Sequence, residues 1–436
     1  MSVIKKSIQI STLALALIFG FNACTPKITN GLEPATNLKR LNIDQKNLDR
    51  IDSLIATGLI RNWMAGATAL VAVDGKVIYD KGFGFRDRET KALMSPLTEF
   101  RIASMTKPIV TAAAMKLVEE GKLKLDDPVS KYIPEFKNMK VIATFDKSDT
   151  TYTTVDAKSS ITIKNLMTHT SGIGFINPML GMIYKKNGIP DLAVTDQVTI
   201  DEKMKKLGTL PLAVQPNTTF FYGLSIDVLG DVIEKASGKN LAEYVTETIL
   251  KPLGMDNTFF FIPAEKANRL TVMYAETKEG RLERLPPVSQ GYHVNYPIEG
   301  ARTYFSGGSG LSSTVEDYAK FCQMILNDGA FNGKVILQPE TVALMTKNQI
   351  GDLNVGKNKF GLGFQIATKE GVKNGESVGT LSWSGAFNTF FWIDPERKSI
   401  SILMTQVYPA IHSRELTSQF EKLVNDALDK GISIKK

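Results

Sequence analysis

Apolar residues recur at helical spacing in "LDRIDSLIATGLI", where Leu48, Ile51, Leu54 and Ile55 share one stripe and predict a first helix. The pattern then changes period. "ATALVAVDGKVIYDKGFGF" is two extended apolar runs around Asp74-Gly75, a dipeptide suited to a two-residue turn, and predicts a β-hairpin. A helix-rich middle follows. "KPIVTAAAMKLVEEG" closes at Gly121, "LSIDVLGDVIEKASG" closes at Gly238, and "NLAEYVTETILKPLGM" opens on an Asn240 cap. "SSTVEDYAKFCQMILNDG" carries a capping box, Ser313 with Glu316, and ends at Gly329. Near the C-terminus the period returns to two in "TLSWSG", "FNTFFWID" and "SISILMTQ", with a last helix through "ELTSQFEKLVNDAL". Strands at both ends with helices between predict an α/β (α+β) fold. One antiparallel sheet is built from both chain ends, with flanking helices and an inserted helix-rich region.

The first residues carry a different pattern. Lys5 and Lys6 precede a mostly apolar run from Ile8 to Phe21, too short for a comfortable membrane span but suited to a secretory signal. Asn22-Ala23-Cys24 follows and resembles the lipobox of bacterial lipoproteins, which implies cleavage before Cys24 and acylation of its thiol. The expected organisation is a signal peptide over 1–23, a lipid-anchored tether over 24–44 and one composite domain over 45–436. The protein is then exported to the periplasm or cell envelope and held to a membrane through Cys24. Removing Lys5 and Lys6 takes the formal charge from +7 to +5 (7 − 2), with basic and acidic residues interspersed, so nucleic-acid binding is not expected. The apolar share of 43% is that of a globular protein with ample core. Cys322 sits among apolar helix residues and is expected to be buried and inert, with no disulfide to Cys24.

Candidate chemistry starts by exclusion. No Gly-x-Ser-x-Gly, Walker loop or Gly-x-Gly-x-x-Gly is present, and His169, His293 and His412 lie far apart without metal-ligand spacing. No metal or organic cofactor is expected. "FRIASMTKPIVTA" places Ser104 three residues ahead of Lys107, where an extended segment enters a helix begun at Pro108. The positive end of that helix would favour developing negative charge. Spacing alone favours a plainer reading, with Ser104 an N-cap and Lys107 a solvated lysine. The same Ser-x-x-Lys recurs at Ser2/Lys5 and Ser433/Lys436.

Context changes that balance. "FRIASMTKP", "LMTHTSGI", "LKPLGMDNT", "GGSGLSSTVEDYAKF" and "FGLGF" follow one another in the order of landmarks in the serine β-lactamase-like family. The chain resembles its class C β-lactamases, D,D-carboxypeptidases and carboxylesterases over roughly residues 60–410. The resemblance implies that Ser104 is the nucleophile and that Lys107 and Tyr222 activate it. Tyr222-Gly223-Leu224 matches the family's Tyr-x-Asn element, with Leu224 standing where lactamases place an amide. Trp383-Ser384-Gly385-Ala386 matches the Lys-Thr-Gly element. Gly385 would let the strand approach substrate, and the backbone N–H groups of Ser104 and Ala386 would form an oxyanion hole. Trp383, Ser384, Gly385 and Leu224 are the expected substrate contacts. His169 matches a landmark that is structural in the family.

The implied reaction is acylation of Ser104 followed by hydrolysis, because a serine hydroxyl is a poor nucleophile until a neighbour takes its proton. A tryptophan where a lactamase holds a cation favours a small-molecule carboxylic ester as substrate. The competing readings are cleavage of a β-lactam, a D-Ala-D-Ala bond or another peptidoglycan-like amide, and a non-catalytic envelope binding protein of the same fold.

Overall fold

The computed structural model describes residues 31–174, 178–190, 194–289 and 292–429. The expected signal segment and Cys24 lie outside the described residues. The strands that form the main sheet come from the two ends of the chain. Its N-terminal members are β1 (Glu33–Pro34), β2 (Gly66–Val73) and β3 (Lys76–Asp87), with the short strand Ala92–Leu93 paired to the end of β3 off the main path. Its C-terminal members are β4 (Lys359–Phe360), β5 (Gln365–Ile366), β6 (Leu381–Gly385), β7 (Thr389–Asp394) and β8 (Ser399–Met404). Their order across the sheet is β1-β3-β2-β8-β7-β6-β5-β4, antiparallel except for β1 on β3. Asp74 (φ 49°) and Gly75 (φ 75°) both take positive φ between β2 and β3, as the Asp-Gly turn predicts.

Helices cover both faces, so the central strands β2 and β8 are buried along nearly their whole length. On one face α1 (Gln45–Ile60) packs with the C-terminal helix Ser413–Asp429. Leu48, Ile51 and Ile55 meet Ala69, Val71, Leu403 and Phe420 there. The alternate residues Leu70, Ala72, Ile400 and Ile402 point to the other face. They join the larger core with α2 (Thr106–Glu119), α3 (Ser225–Ser237) and α4 (Val315–Leu326), the three helices that frame the site, followed in the chain by the C-terminal helix, α5.

Three boundaries differ from expectation. The polar stretch read as tether is docked from Gly31 on: Glu33 and Ala35 donate their N–H groups to Gly75 and Val77 carbonyls at 3.0 and 2.9 Å. These are main-chain bonds at a free sheet edge, which composition does not report. The cap of α4 is Thr314, whose side chain accepts from Asp317 N–H, one residue later than the Ser313–Glu316 box. Ser313 is instead used in a two-residue strand paired with Phe100, and its hydroxyl lies 2.7 Å from that of Thr258. α2 begins at Thr106, ahead of Pro108, on a 3₁₀ turn over Ala103–Met105.

Candidate active site

Ser104 lies in that 3₁₀ turn, and the sequence around it explains why it projects. Phe100–Arg101 pairs with Ser312–Ser313, and Ile102 N–H donates to Leu311 at 3.0 Å, so the approach is fixed as a strand. Arg101 is buried, with Nε on the Val294 carbonyl at 2.5 Å and a terminal nitrogen on the Thr271 carbonyl at 2.8 Å. Burial pushes this guanidinium down to about 10, and the two main-chain oxygens together with the Gln406 side-chain oxygen at 3.3 Å hold it. Ala103 then takes φ 41°, a left-handed conformation that costs an alanine about 1–2 kcal/mol. The chain is turned sharply there, and the next side chain is Ser104.

Lys107 Nζ donates to Ser104 Oγ at 3.1 Å and to the Gly308 carbonyl at 2.7 Å, although the lysine is only 4% exposed. α2 has no side-chain cap, so Ser104 does not act as its N-cap. Lys107 is likewise no solvated lysine. Tyr222 precedes α3, and its half-buried ring centroid lies 4.8 Å from Lys107 Nζ. His169 packs on that ring at 4.6 Å and Trp383 at 5.4 Å, while Phe360 meets Trp383 edge-on at 5.3 Å. Burial pushes the His169 imidazole well below its ordinary range, and the Lys107 charge adds to the effect, so His169 is a neutral packing partner. The spacing of the sequence did not reveal this aromatic wall; Phe220, 5.0 Å from Phe360, extends it.

The β6 edge closes the other side. Trp383 is half-buried, Ser384 and Ala386 are exposed, and Gly385 is buried against the nucleophile loop. A Cβ on Gly385 would fall 2.3 Å from both the Ile102 carbonyl and Thr389 Oγ1. Gly385→Ala should therefore push β6 away from Ser104 and lower turnover on the order of a hundredfold. Wild-type kcat in that variant would show that the strand has room to yield. Leu224 is a correction: it is 2% exposed and packed in the main core at the head of α3, so its side chain is no substrate contact. Cys322 is buried as expected. Among the described residues no group of three or more His, Cys, Asp or Glu could hold a metal ion.

The β-lactamase family model matches residues 51–426. The chain belongs to the β-lactamase family. Protein Rv1367c of Mycobacterium tuberculosis is 32% identical over 378 residues, covering 83% of this chain and 91% of that protein. Esterase EstB of Burkholderia gladioli is 30% identical over 363 residues, covering 79% and 86%. The solved structure of EstCE1, a hydrolase with promiscuous acyltransferase activity, superposes with a TM-score of 0.73 at 27% identity, covering 87% of this chain and 99% of that one. The β-lactamase-family assignment carries the fold and the serine-hydrolase class. Within that frame, one lysine touches both Ser104 and the Gly308 loop, and one tyrosine faces the lysine.

Proposed function

We propose that the protein is a carboxylesterase of the β-lactamase fold that works through an acyl group on Ser104. Lys107 and Tyr222 together take the serine proton, the acyl carbonyl is polarised by the N–H groups of Ser104 and Ala386, and water releases the acid. The observation that carries the ester reading is Trp383: the strand position facing the cleft presents an indole, packed on Tyr222 and Phe360, where an anionic amide substrate would need a cation. The resemblance to an esterase and to a hydrolase with acyl-transfer activity supports the same reading. The purified protein, assayed in parallel on a short p-nitrophenyl ester, a chromogenic cephalosporin and a D-Ala-D-Ala peptide, should cleave the ester well and the other two poorly. Preference for the cephalosporin would make the esterase assignment wrong.

Trp383→Lys refines the test. A partly desolvated ion pair to a lactam carboxylate contributes about 1–3 kcal/mol, so lactam acylation should rise roughly ten- to a hundredfold relative to ester cleavage. The ratio of kcat/KM values is the readout, because a general loss of activity cancels in it. An unmoved ratio would mean that Trp383 only packs the core.

On the N-terminal sequence alone, the same proposal locates the enzyme in the cell envelope, tethered through Cys24. Metabolic labelling with a fatty acid should mark the wild type and not Cys24→Ala. Equal labelling of the two would end the lipoprotein reading.

A further inference from the structure

Asp227 is a buried carboxylate beside the site that the proposed chemistry leaves unused. It lies in the first turn of α3, five residues after Tyr222, and is 4% exposed. Burial raises its pKa, against the opposing pull of the Ser306 hydroxyl and of the Lys107 charge. One carboxylate oxygen accepts from Ser306 Oγ at 2.6 Å and from Gly308 N–H at 3.3 Å. The carbonyl of that same Gly308 accepts from Lys107 Nζ, which also donates to Ser104 Oγ. A single residue thus links the carboxylate to the lysine: Asp227 fixes its N–H side, and Lys107 uses its C=O side.

Gly308 could not be replaced by a larger residue here. A Cβ would fall 2.3 Å from the second Asp227 oxygen, and one on Gly307 would fall 2.4 Å from the Ile226 carbonyl. Glycines at this contact bring the loop onto α3, but they also leave it the freedom to rotate its peptide planes. The Gly308 carbonyl belongs to the next peptide unit, whose Ser309 N–H donates to Ser306 Oγ at 3.0 Å, so Asp227 holds both units, one directly and one through Ser306. Without an acceptor at residue 227, the Gly308 carbonyl can turn away and Nζ loses an anchor. Misplacing a proton acceptor by about 1 Å costs on the order of a hundredfold in rate.

We propose that Asp227 is a positioning residue that holds Lys107 on Ser104 through Ser306 and the Gly308 main chain. The proposal rests on Ser104 being the nucleophile, and the experiment separates the two ideas. Full-length wild type, Asp227→Ala, Asp227→Asn and Ser306→Ala are titrated with a fluorophosphonate probe, the adduct is located by mass spectrometry, and kcat is expressed per labelled site. Asp227→Ala should lose about a hundredfold in kcat with KM within about threefold of wild type. Asp227→Asn keeps an acceptor oxygen and should recover to within about tenfold of wild type. Ser306→Ala, which removes one donor to Asp227, should cost roughly fivefold and covers the case in which Asp227→Ala does not fold. A purely structural role would lower the labelled fraction and the melting temperature while leaving kcat per site unchanged. That result, or an Asn variant no better than Ala, overturns the proposal while an adduct on Ser104 leaves the nucleophile standing. An adduct elsewhere overturns both.

Discussion

Ser104→Ala is expected to remove turnover by several orders of magnitude, leaving a folded protein that binds substrate and cannot be acylated. The serine hydroxyl is the atom on which the lysine is trained at 3.1 Å, and it stands at the turn that Ala103 forces with its left-handed φ. Losing the proposed acyl acceptor removes the covalent route altogether, whereas losing a helper leaves part of it. The substitution should cost little stability, since Ser104 is half-exposed and caps no helix. A fluorophosphonate probe should add its mass to the Ser104 peptide in wild type and to nothing in the variant. An adduct on Ser225 or Ser309 would refute the mechanism, and both lie in buried hydrogen bonds to other serines.

The second large effect concerns the activating group. Lys107→Ala and Tyr222→Phe should each be nearly as damaging as losing the serine, and the double variant little worse than either. Lys107 Nζ lies 4.8 Å from the tyrosine ring and 3.1 Å from the serine oxygen, so the three side chains form one constellation. Groups that act as a unit give grossly non-additive losses, because the first deletion already disables the step that the second would impair. Single-turnover acylation, measured for the four enzymes, is the check. Losses that multiply would show that the lysine and tyrosine act independently.

How much of this was legible in the sequence depends on what each position does. The two-ended sheet, the helix-rich insertion and the Asp74-Gly75 turn follow from period and turn chemistry, and they are present as read. Ser104 was legible only through its neighbours in chain order, since the same spacing occurs twice more by chance. Leu224 was misread because it stands where the family's lactamases place a substrate-touching amide, whereas the start of α3 turns it inward. Asp227 was passed over for a different reason. An acid inside "LSIDVLGDVI", four residues before a second one, looks like a helix-face charge, and only the fold brings Ser306 and Gly308 to it from 79 and 81 residues away. The glycines of "GGSGL" were visible, but what they approach was not.

The docking of Glu33–Pro34 on β3 has a practical corollary for anyone who wants to hold this enzyme still. The chain enters the sheet at one border, and Trp383–Gly385 lies on the sixth strand across it, five spacings of about 4.8 Å away. An attachment made upstream of Gly31, to a bead, a vesicle or a fusion partner, therefore begins about 24 Å from the catalytic strand along the sheet. Immobilised preparations should keep their cleft open to bulk solvent, and KM should not depend on linker length. A linker of half a dozen residues should perform as well as one of thirty.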